Sequence, residues 1–214
     1  MKQLAELVIP AKSAVLVVDV QNDYCEPEGA LGKAGLPTGA AMAMIPTLQA
    51  FLTAARAAGT PVIFIQTNHT PETDSAVWSW RNGGISSAVC RKNTWGSEFT
   101  GVAPLPDEPV VVKHRYSAFI NTRLDSVLRT LKVENLIMTG VSTNVCVEST
   151  ARHGYMLDYH IVFLSDCTAA YSIEEHEGAL YNMRTHFGVV AASHDVTAVW
   201  SFDSGSLREP ALRI

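Results

Sequence analysis

Short apolar runs, each followed by a stretch of helix formers, recur along this chain and limit its possible folds more than any other feature. The first is SAVLVVDV, Ser13–Val20, and comparable runs follow at Val62–Gln66, Pro109–Val112 (leading into Lys113), Asn135–Gly140, His160–Leu164 and Val189–Ala192. Runs that are apolar at successive positions and rich in β-branched residues read as strands buried on both faces. Between them lie predicted helices. Ala40–Ala58 ends at Gly59, a C-cap signal, and Asn121–Leu131 sets Leu124, Val127, Leu128 and Leu131 on one face. Asn144–Met156 has Asn144 as its expected N-cap, and Ser172–Phe187 opens with Ser172 and Glu175 spaced as a capping box. About six strand–helix alternations predict an α/β fold, a parallel sheet with helices on both faces. The segment Asn68–Pro109, rich in Gly, Ser, Thr, Asn, Pro and Trp, breaks the pattern. An irregular stretch of that length is either functional or hides short elements.

A chain of 214 residues suits one domain, taken here as 1–214. A mean hydropathy of +0.11 is apolar for a soluble protein, so a homo-oligomer, dimer or tetramer, is expected. Net charge is −5 without a Lys/Arg run, which leaves no electrostatic footprint for nucleic acid. MKQLAELVIPAKS lacks the apolar core of a signal peptide, and no run approaches a membrane span. The four cysteines show no C-x-x-C pair, so reduced thiols and a cytoplasmic location are expected. No GxGxxG or Walker motif follows a predicted strand, which argues against a nucleotide; no cofactor is expected.

Ligands of parallel α/β sheets sit beyond the carboxyl ends of the strands. Three chemistry-bearing positions fall at such ends: Asp19, Lys113, and Cys146 after the turn GVSTNVC. A cysteine in the first turn of a helix, near an ammonium, is favoured as thiolate, and the N–H groups there can hold an oxyanion. Taken singly, each residue has a plainer reading. Cys146 then reads as a buried structural thiol, Asp19 as a loop cap, and Lys113 as a solvated surface lysine.

VVDVQNDY, VVKHRYSAF and TGVSTNVCVESTAR, in that order, resemble the signature segments of the isochorismatase-like cysteine hydrolases, over about Ser13 to Ala192. The resemblance implies a Rossmann-like sheet and an Asp19–Lys113–Cys146 triad. Asp19 would move protons, Lys113 would stabilise charge, and Cys146 would form a thioester. It also implies a cis peptide before Ser142 and an oxyanion hole of the Ser142 and Cys146 N–H groups.

Within that family, isochorismate hydrolysis is run by members lacking the cysteine. Nicotinamidases carry an Asp-x-His and a further His that bind metal. Here the region reads QTNHTPETDSAVW with His69 alone, so no metal is expected and His69 is taken as a loop hydrogen-bonding group. NTWGSEFTGV and KHRYSAFINTRLDSVLR look most like members acting on ureidoacrylate, biuret, triuret and N-carbamoylsarcosine. That likeness makes Asn68, Tyr116 and Phe119 expected substrate contacts, with Gln21 and Asn22 either touching substrate or bonding within the loop. Trp78 and Trp80 form a lid or pack elsewhere. Arg81 and Arg91 bind a substrate carboxylate or make surface ion pairs. The expected activity is hydrolysis of a linear C–N bond in a small ureido or carbamoyl amide. A nicotinamidase-like amidase, and a non-catalytic binder or thiol redox sensor, are the alternatives.

Overall fold

The structure, a computed structural model, describes residues 2–206. Helix α1 (Lys2–Leu7) precedes strand β1 (Ser13–Val18), and two single-turn helices, α2 (Asn22–Cys25) and α3 (Ala30–Lys33), follow. Next come α4 (Gly39–Ala57), β2 (Val62–Thr67), α5 (Ala76–Asn82), β3 (Val110–Lys113) and α6 (Leu124–Thr130). The chain continues with β4 (Asn135–Val141), α7 (Glu148–Met156), β5 (His160–Ala169), α8 (Ile173–Asn182), β6 (Gly188–Ala191) and α9 (Ser193–Ser206).

The six strands are parallel in the order β3-β2-β1-β4-β5-β6. β1 is apolar on both faces because both are covered. Val15 and Val17 pack with Leu48, Phe51 and Leu52 of α4 on one side. Leu16 and Val18 pack with Leu124, Leu128, Val147 and Ala151 on the other. Burying each such aliphatic or aromatic side chain contributes roughly 1.5–3 kcal/mol. α9 joins the first layer, where Trp200 stacks on Phe51 with centroids 5.5 Å apart and donates Nε1–H to Val8 O at 2.7 Å.

Most predicted boundaries hold to within a few residues, with four differences. β5 continues past Leu164 to Ala169, its register against β4 slipping between Met138 and Gly140. Leu131 caps α6 and is 38% exposed, so the buried face of that helix is Leu124 and Leu128. The segment before α7 is a π-turn, Thr143–Val147, whose N-cap is Ser142 and not Asn144. α1 and α9 were not expected. Ser172 does cap α8, its hydroxyl accepting from Glu175 N at 3.1 Å. No helix among the described residues is long and apolar enough to cross a membrane.

Candidate active site

β1 and β4 are neighbours at the centre of the sheet, but the chain leaves them towards opposite edges, β1 to β2 and β4 to β5. A crevice forms beyond the strand ends at such a reversal, and ligands bind there. Asp19 directly follows β1 with φ +52°, a left-handed conformation that Asp tolerates better than most residues. Its N–H still donates to Ile65 O of β2 at 3.0 Å. Cys146 lies in the π-turn after β4, reached through a cis Val141–Ser142 peptide bond. Ser142 O accepts from the N–H of Val145 at 3.1 Å and of Val147 at 3.2 Å, which wraps the turn around the thiol.

Lys113 ends β3 on the sheet edge, two strands from β1, yet its side chain is only 1% exposed. It crosses the end of β2 to place Nζ 2.7 Å from Asp19 Oδ2 and 3.4 Å from Cys146 Sγ. Nζ also donates to Thr67 Oγ1 at 2.8 Å and Arg115 O at 3.0 Å. Thr67 Oγ1 in turn donates to Asp19 Oδ1 at 2.9 Å. The three groups far apart in sequence therefore meet in one buried cluster.

Electrostatics differ from the expected standing thiolate. Burial pushes the Cys146 thiol up to about 12; Lys113 opposes this and Asp19 adds to it. Burial alone would lower Lys113, but Asp19 and Cys146 raise it above its ordinary value, so it stays charged. At neutral pH the thiol is protonated beside an ammonium. Cys25 and Cys167 are also pushed up to about 12, chiefly by burial, and Cys90 is raised too; Cys90 alone of these three has Lys113 opposing the shift. All four thiols are free and buried.

The cluster opens into a cavity of about 360 Å³, within the range of small-ligand sites. Ser142, Val145 and Cys146 line it together with Tyr24 and Tyr171. Leu31, Leu36, Ile85 and Val89 are apolar wall, and Trp78, Arg81, Tyr116 and Glu175 complete the lining. Trp78 stacks on His69, centroids 4.2 Å apart, while Trp80 on the same helix is 83% exposed. A larger cavity of about 600 Å³ lies at the opposite end of the sheet, by Asn135, His160 and Gly188 at the strand starts, away from this chemistry.

Of the residues expected to touch substrate, Tyr116 lines the cavity. The other four do not. Gln21 is fully buried; its Nε2 donates to Thr67 O and Ser97 O, both at 2.8 Å, and its Oε1 accepts from Thr67 N at 2.8 Å. Both amide hydrogens are thus engaged inside the protein. Asn22 donates to Trp95 O at 2.7 Å, and Asn68 to Gln66 Oε1 at 3.1 Å. Phe119 packs against His153 and Tyr159. Arg91 forms an ion pair with Asp74 at 2.9 Å. His69 is buried in the loop after β2, where its backbone N–H donates to Cys90 O at 2.8 Å, while its Nδ1 lacks a hydrogen-bond partner among the described residues. No group of three or more His, Cys, Asp or Glu among the described residues is placed to hold a metal ion.

Tyr24, Thr67 and Tyr171 escaped the sequence reading. Thr67 had a usable signal, since it ends an apolar strand just as Asp19 and Lys113 do. Tyr24 lay within VVDVQNDY. Tyr171 offered none, because its Oη reaches Tyr24 O, at 3.0 Å, only through the tertiary fold.

Comparison with known proteins agrees with this architecture. Residues 13–195 match the Isochorismatase domain family. The chain is 36% identical over 208 residues to ureidoacrylate amidohydrolase RutB of Pseudomonas syringae pv. syringae (strain B728a), covering 90% of this chain and 85% of that protein. The crystal structure of a cysteine hydrolase from Pseudomonas syringae pv. phaseolicola 1448A superposes with a TM-score of 0.82 at 30% identity, over 90% of this chain and 94% of that one. N-carbamoylsarcosine amidase from Thermoplasma acidophilum gives 0.71 at 27% identity, over 85% and 96%. With the family match extending over nearly the whole described sheet, the chain belongs to the isochorismatase family.

Proposed function

We propose that this protein hydrolyses a small linear ureido or carbamoyl amide through a thioester on Cys146, with Asp19 as proton carrier and Lys113 as fixed positive charge. The chain is a hydrolase acting on C–N amide bonds, an amidohydrolase of the isochorismatase family. The observation that carries the finer reading is the position of Lys113 Nζ, 2.7 Å from Asp19 Oδ2 and 3.4 Å from Cys146 Sγ, the thiol that lines the cavity.

In this mechanism the thiol proton passes to Asp19 as sulfur attacks the substrate carbonyl. The N–H groups of Ser142 and Cys146 hold the oxyanion. When the tetrahedral adduct collapses, the C–N bond breaks and Asp19 protonates the leaving nitrogen. Water then attacks the thioester, gives a proton to Asp19, and releases the acid or carbamate; the proton returns to sulfur. Lys113 stays charged throughout.

Arg81 is the cation on the cavity wall, which it shares with aromatic and aliphatic side chains and one carboxylate, Glu175. This favours a ureido substrate with a carboxylate at its far end, such as ureidoacrylate, over a neutral one such as biuret. Tyr116 can pack against the planar group. The whole chain, 1–214, acts as one domain. Exposed Met156, Ile173 and Tyr181 favour a homo-oligomer, dimer or tetramer, which light scattering after size exclusion would test.

An ammonia-release screen over ureidoacrylate, biuret, triuret, N-carbamoyl amino acids and nicotinamide tests the reading. Cys146→Ala should lower turnover by at least ~10³-fold without unfolding the protein, and an acyl adduct should be trapped on Cys146 by mass spectrometry. Retained activity in Cys146→Ala would refute the mechanism. Release from nicotinamide alone would move the substrate to the nicotinamidase-like class.

A further inference from the structure

The Lys113 ammonium has three hydrogens, and three acceptors meet them: Thr67 Oγ1 at 2.8 Å, Arg115 O at 3.0 Å and Cys146 Sγ at 3.4 Å. Asp19 Oδ2 lies only 2.7 Å from the same nitrogen, a fourth acceptor competing for three hydrogens. Oδ1, the other oxygen, is occupied by the Thr67 hydroxyl at 2.9 Å. Cys146 Sγ, 3.4 Å from the same ammonium, carries the proton that the carboxylate must take.

We infer that Thr67 is a positioning residue whose hydroxyl draws one Lys113 hydrogen away from Asp19 and so keeps Oδ2 open to receive the Cys146 proton. The inference rests on Cys146 being the nucleophile. One hydroxyl does two things, since it accepts from the ammonium and donates its single hydrogen to Oδ1. Without it, the freed N–H turns onto Oδ2, 2.7 Å away, and competes with the thiol for that oxygen. The step at stake is a proton transfer, S–H to Oδ2–H, leaving a thiolate that Lys113 stabilises; no other bond changes.

The placement of the hydroxyl is itself built. Gln21, two residues after Asp19, grips both peptide groups of Thr67 through its carboxamide, Oε1 to N and Nε2 to O, each at 2.8 Å. A side chain on the Asp19 loop thus fixes the β2 end in register with the carboxylate it must meet.

The test is the rate at which iodoacetamide alkylates Cys146, followed by peptide mapping, in the wild type, Thr67→Val and Thr67→Ser. Thr67→Val should alkylate at Cys146 at least ~10-fold more slowly, whereas Thr67→Ser, which keeps the hydroxyl, should stay within about 3-fold of wild type. A purely structural role predicts the opposite sign, because a loosened site exposes buried thiols and speeds their alkylation. Thr67→Ala gives the same comparison if the Val variant does not fold by circular dichroism. Equal or faster Cys146 alkylation in the hydroxyl-free variant would overturn the role of Thr67 while leaving the nucleophile intact. Wild-type Cys146 reacting no faster than Cys25, Cys90 and Cys167 would instead remove the nucleophile reading itself.

Discussion

At Cys146 burial and charge oppose one another, and burial prevails. The thiol is pushed up to about 12 although an ammonium stands 3.4 Å away. On the proposed mechanism its nucleophilicity comes from proton transfer within the cluster at the moment of attack, not from a resident thiolate. That gives Asp19 Oδ2 and its surroundings more weight than the helix end behind the sulfur. On the same proposed reading, Arg81 bears on a different quantity, the choice of substrate. Arg81→Gln is expected to raise KM about 10-fold for a carboxylate-bearing ureido substrate, worth about 1.4 kcal/mol, with kcat nearly unchanged. KM for a neutral substrate such as biuret should not move. Steady-state ammonia release on the two substrates makes the comparison, and an equal effect on both would show that Arg81 does not read the carboxylate.

Among the elements, β4 has the least freedom. Gly140 sits at φ +105°, and a Cβ there would lie 2.0 Å from Val18 O, so β1 and β4 approach where only glycine fits. Gly140→Ala is expected to cost about 3 kcal/mol or more, read as a lower urea midpoint at constant m-value. A loss under about 1 kcal/mol would mean the strands separate easily there. The segment predicted as irregular, Asn68–Pro109, is held by side chains from the Asp19 loop and β2. Asp23 accepts from Cys90 N at 2.6 Å, while Gln21 and Gln66 both donate to Ser97 O at 2.8 Å. None of these bonds has a local signature. Composition could mark the segment as unusual, but not show that α5 would carry Trp78 and Arg81 to the cavity.

The whole molecule couples this cavity wall to pH. Burial chiefly lowers His69 to about 4, with Lys113, Arg91 and His114 adding to the effect against Asp74. The unfolded chain protonates His69 near 6.5, so between about pH 6.5 and 4 it binds a proton that the fold refuses. Stability is therefore full above 6.5 and falls as pH drops through that window. Urea unfolding at pH 7, 6 and 5 should show the decline, and His69→Gln should flatten it by up to one proton's worth of slope. An identical slope in the variant would assign the acid limb to other groups.

The strand and helix periods of the chain, legible because burial on two faces makes SAVLVV and NLIMTG mostly apolar, determined the layered parallel sheet. They also put Asp19, Lys113 and Cys146 at strand ends, and the three ordered segments carried the resemblance to the family. Only the tertiary structure decided the rest. Strand order puts β2 between β3 and β1, so Lys113 must cross Thr67 to reach Asp19. That crossing makes Thr67 part of the cluster and turns Gln21 inward, away from the cavity lining. Helix α9 and the first residues of the chain meet over Phe51 and Val8, a contact no local pattern encodes. Burial, a property of the assembled fold, fixed the thiol as protonated where position along the chain had suggested a thiolate.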